Sequence, residues 1–293
     1  RTADGKVMRS NVVGAQNNFS AGAFALKGAY FSGSREQASV QSGYTLNKNE
    51  QIGTAESKEG NSQFLVQQFR AKLGSGTFTA DMQDVSKNFV GFDSVRSAGF
   101  TDAEAATLQR ERGLKRQGFA YDGFKVGKDA SLGFDQRTVS DDNASLVWNK
   151  YTLKGKTFSF EAGSQSIGQG FTRFNDIREG DRAQLQKEQG MSRNSFNGTL
   201  ALAGGTMKIG SFGIDEMASG MGIEKREVSF ETKKFGFSFG EQTVDKGFTR
   251  FGSLPNNERA IYGLEAGLNR QWMAFNLNGI GKDGTANFSR SNV

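Results

Sequence analysis

The chain has 293 residues, with 39 glycines, 26 phenylalanines, a single proline (Pro255) and neither histidine nor cysteine. Its net charge is +6 and its pI about 9.4. The missing residue types exclude an imidazole base, a thiolate nucleophile, disulfides and Cys/His metal sites. Carboxylate-only chemistry and oxygen-ligand Ca²⁺ or Mg²⁺ sites stay open.

Lysines and arginines are interspersed with acids, which reads as a mixed solvated surface rather than a nucleic-acid patch. No apolar run approaches the length of a membrane-spanning helix, and no signal segment opens the chain at Arg1. Absent cysteine together with abundant glycine and phenylalanine is the composition expected of an exported protein on the surface of a diderm bacterium.

In chain order, residues 1–60 read as N-terminal strands over 19–31 and 36–46, possible remains of a preceding repeat. Strands follow over 64–73 and 77–85. Next comes Phe89-Val90-Gly91-Phe92, then a short helix whose capping box is Thr101-Asp102-Ala103-Glu104. Gly113 is expected to close that helix as a C′ glycine. Strands over 116–126, 130–140, 146–154 and 156–167 lead to Phe171-Thr172-Arg173-Phe174 and a second helix over about 181–189, closed by Gly190. Strands over 194–203, 206–215, 223–233 and 235–244 lead to Phe248-Thr249-Arg250-Phe251. A third helix begins near Pro255, where proline suits a first turn, and is expected to run to Gly267. Strands over 271–279 and 285–291 complete the chain.

This order contains an internal repeat, the strongest feature of the sequence. Gly170 to Phe174 recurs as Gly247 to Phe251, 77 residues later. Ala183, Glu188, Gly190 and Arg193 keep their offsets as Ala260, Glu265, Gly267 and Arg270. The earlier copy carries five extra residues and then resumes at Ala106, Glu111, Gly113 and Arg116. Upstream, Phe78, Phe160 and Phe237 each sit 11 residues before the first motif phenylalanine. The units are residues 61–140, 141–220 and a truncated 221–293, in one continuous β domain. Both chain ends read as cuts from a repeating array.

Four strands per helix place all three helical inserts on one side of an up-and-down meander. The expected fold is therefore all-β: an antiparallel meander of about 14 strands. A sheet of that size curls, splits or closes, and closure into a β-barrel removes its edges. Strand lengths of nine to thirteen residues suit tilted membrane-crossing strands. In composition and strand length the chain resembles porin-type barrels, without a diagnostic motif.

The recurring residues have structural readings that outweigh functional ones. Phe89 and Phe92, Phe171 and Phe174, and Phe248 and Phe251 would staple each helix to the sheet; the arginine between the last two pairs is absent from the first copy. The pairs Glu111 with Arg116, Glu188 with Arg193 and Glu265 with Arg270 would be ion pairs, since a carboxylate at a helix C-terminus opposes the dipole. Leu108, Ala183 with Leu185, and Ala260 with Leu264 would form the buried helix sides. Asp141-Asp142-Asn143 lacks a calcium-loop spacing and reads as a polar turn. Gly168-Gln169-Gly170 and Gly204-Gly205 do not open helices in a βαβ setting, so phosphate binding is not expected.

No catalytic residue, cofactor or metal site is expected. The sequence points to a non-enzymatic outer-membrane β-barrel, a pore or an envelope scaffold. Its partners would be membrane lipid or related subunits, with an anionic solute or glycan as possible cargo and no nucleic acid. The alternative is a secreted structural repeat protein forming a filament, sheath or surface layer.

Overall fold

The computed structural model describes residues 7–21, 24–38, 62–89, 91–97, 100–178, 180–202, 204–280 and 284–293. Among them lie fourteen strands, and the sheet order follows the chain from the first to the last, an all-β antiparallel meander. The strands are β1 Val7–Ala21, β2 Phe24–Ala38, β3 Ser62–Leu73, β4 Gly76–Val85, β5 Lys115–Val126, β6 Ala130–Ser140 and β7 Ser145–Gly155. The second half comprises β8 Phe158–Ile167, β9 Met191–Leu202, β10 Gly205–Glu216, β11 Gly222–Thr232, β12 Phe235–Val244, β13 Asn269–Ile280 and β14 Gly284–Asn292. Helices interrupt the meander after β4 (α1 Phe92–Ser97 and α2 Asp102–Arg110), after β8 (α3 Arg182–Lys187) and after β12 (α4 Asn256–Tyr262, preceded by a 3₁₀ turn at Arg250–Ser253).

The contacts define two compact units. The first takes the described residues of Arg1–Lys72, Phe78–Gly118 and Val139–Asp142. Its core gathers Ala29, Phe64, Val66, Val85, Phe89, Phe92, Phe100, Ala105 and Leu108. The second takes Leu73–Thr77, Phe119–Thr138 and Asn143–Val293. There, Met191, Ile214, Ile223 and Val244 form an apolar floor under Phe248, Leu254 and Tyr262. Each helix is too short to hold itself together in water. Burying a phenylalanine contributes about 1.5–3 kcal/mol, so these packed rings supply the missing stability.

Helix starts follow local chemistry. Thr101 caps α2 through a full capping box with Glu104, and the Asp181 carboxylate accepts from the amides of Ala183 and Gln184 at the start of α3.

Several expectations are corrected. A strand over 19–31 is replaced by β1 ending at Ala21 and β2 starting at Phe24. The only turn signal there is a lone Gly22 between alanines, without Asn, Asp or Pro beside it, and in a chain of 39 glycines that does not stand out. The expected strand over 36–46 falls largely outside the described residues; only its first three residues belong to β2. The third helix stops at Tyr262 with Gly263 as its C-cap, well before Gly267. Gly113 and Gly190 are not C′ residues either, because the helices before them are capped at Glu111 and Glu188. Gly113, Gly190 and Gly267 have φ of +77°, +78° and +78° and turn the chain into the next strand. Their amides bond the carbonyls of Val85, Ile167 and Val244 at 2.6, 2.7 and 2.8 Å, the last residues of the strands before each insert. A left-handed backbone costs a residue with a Cβ about 1–2 kcal/mol, which explains glycine there.

On the expected helix sides, Leu108 and Leu185 are buried, but Ala183 and Ala260 are exposed and Leu264 is 89% exposed. The shortened α4 presents Tyr262 to the core instead. The five extra residues of the first copy are accommodated by α1, which periodicity alone did not reveal.

Candidate functional site: buried triads and two opposed sheet faces

Each insert is pinned by the same three side chains. In the first, Arg116 grips Glu111 with two hydrogen bonds, Nε to Oε2 at 3.1 Å and Nη2 to Oε1 at 2.8 Å. Gln83 of β4 donates to the same carboxylate at 3.1 Å. In the second, Arg193 meets Glu188 at 2.6 Å and Gln165 of β8 donates at 3.0 Å. In the third, Arg270 meets Glu265 at 2.5 Å and Gln242 of β12 donates to it. Glu111, Glu188 and Glu265 are all buried. The ion pairs lie where the sequence suggested, while the glutamine partner went unread. It was legible: Gln83, Gln165 and Gln242 each stand five residues after Phe78, Phe160 and Phe237.

The phenylalanine pairs sit beside these triads. Phe89 and Phe92, Phe171 and Phe174, and Phe248 and Phe251 meet edge to face at 5.2, 5.0 and 4.9 Å between ring centroids. Such pairs add about 0.5–1.5 kcal/mol beyond burial. All but Phe251 are buried.

The second and third inserts are also joined to each other. Arg250 donates through Nη2 to the carbonyls of Lys187 and Gln189 at the end of α3, at 2.8 and 3.0 Å. A cation there complements the helix dipole. Gln184 donates to the Ser253 carbonyl at 2.8 Å. Arg193 reaches across to Glu258 of α4 with two bonds at 3.1 and 2.9 Å, its guanidinium 5.7 Å from the Phe212 ring. Glu216 accepts from the amides of Thr249 and Arg250. Arg173 instead pairs with Asp176 in its own copy.

Burial raises the Tyr262 phenol above its ordinary pKa, with Glu258 and Glu265 adding to the shift and Arg193 opposing it. Every triad carboxylate answers a guanidinium, an arrangement that holds structure together. Among the described residues no cluster of three or more acidic side chains is placed to hold a metal ion. Asp142 of the candidate calcium turn pairs with Lys87 at 2.5 Å. The Gln169 carbonyl accepts from Gln189, and Gly204 turns the β9–β10 hairpin with φ +77°.

The strands of the second unit sort side chains onto two faces of opposite character. Register aligns Phe158, Leu200, Met207, Phe230, Phe237, Phe275 and Phe288 in one row across β8 to β14. A parallel row holds Phe160, Gly198, Ile209, Val228, Phe239 and Met273. Phe160 lies over Gly198, where an added Cβ would come within 2.8 Å of the ring. Phe237, Phe239, Met273, Phe275 and Phe288 remain 41–57% exposed. Further along the same face the character changes to Ser211, Arg226, Glu241 and Gln271.

Alternation puts Trp148, Lys150, Glu161, Gln165, Arg193, Lys225 and Glu227 on the other face. Ion pairs run across it: Lys150 with Glu161 at 2.9 Å, Lys225 with Glu227 at 3.0 Å, and Arg137 with Asp135 at 2.8 Å. A cavity of about 480 Å³ opens there, bordered by Arg137, Trp148, Lys150, Glu161, Arg193 and Phe212. The third insert covers the apolar end of this polar face, through Ile214, Ile223 and Val244.

No protein-family model matches the chain, and no curated protein matches it. Among solved structures, it is similar to the crystal structure of OccK8 (OprE) from Pseudomonas aeruginosa. The identity is 10% and the TM-score 0.32, over 93% of this chain and 74% of that one.

Proposed function

We propose that the chain is a closed β-barrel of the outer membrane of a diderm bacterium, assembled from tandem units of about 80 residues. It acts as a non-enzymatic pore or envelope scaffold. The supporting observation is the reversed polarity of the sheet: aligned phenylalanine, leucine and methionine face outward unburied, while charged pairs, tryptophan and the inserts occupy the opposite face. Contiguous apolar area of that size costs a water-soluble monomer dearly and is what a bilayer covers. The row of Phe235 and Leu277 lies one step before the Phe237 row and the row of Phe239 and Met273 one step after it. Rows are about 6.8 Å apart along a strand. Arg226 and Glu241, paired at 3.5 Å, mark the polar border beyond the third row. Closure of the sheet removes the open edges of a meander, which otherwise invite aggregation.

In this reading the inserts project into the lumen, and the matched charges along it give a pore with only a slight preference for anions. The test is reconstitution into vesicles. Insertion, slower gel migration after boiling and measurable ion conductance are expected. A monodisperse solution without detergent would refute the barrel.

One observation favours a second reading, a secreted filament or sheath. The joint of Arg250, Gln184 and Glu258 links one insert to the next head to tail, a contact that further repeats could propagate. Ordered polymers in detergent-free buffer, visible by electron microscopy, would decide for it.

A further inference from the structure

Resting on the membrane reading above, the geometry points to a binding site for one anionic phospholipid beside the β5–β6 turn. Leu73, Tyr121, Phe124, Leu132 and Phe134 line a groove of about 820 Å³ that also takes in Lys125. That volume is within the range of small-molecule sites. Leu132 and Phe134 alternate with Asp135 and so lie on the apolar face of β6.

The groove is built rather than incidental. Gly123 breaks the regular backbone of β5 with φ +85°, and its carbonyl accepts from the Ser75 hydroxyl at 2.6 Å. The Tyr121 hydroxyl donates to the Leu73 carbonyl at 2.7 Å, which satisfies the polar tip and leaves the ring as an apolar wall. Gly76 makes room for that ring, since a Cβ there would come within 2.8 Å of it. Tyr121 stacks on Phe134 at 6.3 Å and meets Phe124 edge-on at 5.9 Å.

The walls are unusually wet for their chemistry: Leu73 is 44%, Phe124 51% and Leu132 40% exposed. Lys125 lines the groove, Lys128 follows it in the turn to β6, and among the described residues neither joins an ion pair. Asp129 is the acid that shares the turn. An apolar trough with one unpaired ammonium group on its wall and a second in the adjoining turn is complementary to an acyl chain ending in a phosphate. Rings and lysines at one level are also how membrane proteins meet the headgroup plane.

The experiment is native mass spectrometry of the full chain in detergent, equilibrated with equal phosphatidylglycerol and phosphatidylcholine. The wild type is expected to retain phosphatidylglycerol preferentially. The double variant Lys125→Gln/Lys128→Gln should lose that preference by about 25-fold, taking roughly fivefold per lysine near a headgroup. Leu132→Trp, which fills the groove, should lower retention of both lipids. Lys187→Gln/Lys246→Gln, equal in charge change but on the inserts, should behave as wild type. Circular dichroism and boiling-dependent gel migration verify that each variant is folded. Unchanged preference in the Lys125/Lys128 variant, or no preference in the wild type, overturns the site while insertion into vesicles leaves the barrel standing. Failure to insert overturns both.

Discussion

Truncating the triad glutamate should destabilise the three copies by unequal amounts, in an order set by how far each arginine can reach water. In the first copy Glu111 is fully buried and the Arg116 side chain is 6% exposed. Glu111→Ala removes a bidentate carboxylate from a guanidinium in a dry site, which costs about 3 kcal/mol. In the second copy Arg193 is 17% exposed and keeps Glu258 at 2.9 Å. Glu188→Ala then costs about 2 kcal/mol, the scale of a lost charge-assisted hydrogen bond. In the third copy the Arg270 side chain is 42% exposed and rehydrates, so Glu265→Ala costs about 1 kcal/mol at most. Replacing both partners together, Glu111→Leu with Arg116→Met, should recover most of the loss in the first copy, because no buried charge remains. Urea unfolding followed by circular dichroism in one fixed detergent reads these differences as midpoint shifts at constant slope. Equal losses in the three copies, or a double replacement as damaging as Glu111→Ala, would refute the argument from burial.

Two further outcomes follow from the inserts. Gly190→Ala should cost about 1–2 kcal/mol from the left-handed backbone alone, with a smaller effect at the exposed Gly252, where φ is not positive; thermal melting compares the two. Tyr262 is held neutral by burial, so its folded pKa is above the unfolded value of about 10. Its contribution is complete below that pH and is lost as the pH climbs through the folded value, since the unfolded chain ionises first. Phenolate absorbance of the folded chain should show a step above the ordinary tyrosine range, and Tyr262→Phe should remove it; a profile unchanged by that replacement would contradict the placement.

Much of this organisation was legible because repetition amplifies weak local patterns. One Glu–Arg pair five residues apart means little, but three at matched offsets identify a recurring contact. The capping box at Thr101 was readable because its chemistry is wholly local. The end of α4 was not: Gly263 and Gly267 are both plausible stops, and the packing of Tyr262 and Leu254 decides between them. The N-terminal strands were misplaced because period-two alternation fixes faces and leaves hairpin positions to turn residues, of which Gly22 is a weak one in so glycine-rich a chain. The joint made by Arg193 and Glu258 spans 65 residues and has no local signature at all. The two faces were only half visible, since Phe235, Phe237 and Phe239 alternate cleanly while Ile223–Lys233 reads as charged. Register with its neighbours shows Val228 and Phe230 completing the apolar rows.

The orientation of those rows toward hydrocarbon can be measured directly, because the chain contains no cysteine. Single variants Phe237→Cys, Ser238→Cys, Met273→Cys and Ala274→Cys would carry a fluorescent label in vesicles whose acyl chains bear a nitroxide quencher. Labels at 237 and 273 should be strongly quenched, and those at 238 and 274, one residue along each strand, protected. Equal quenching at neighbouring positions, or none at any of the four, would contradict a sheet whose phenylalanine face meets the bilayer.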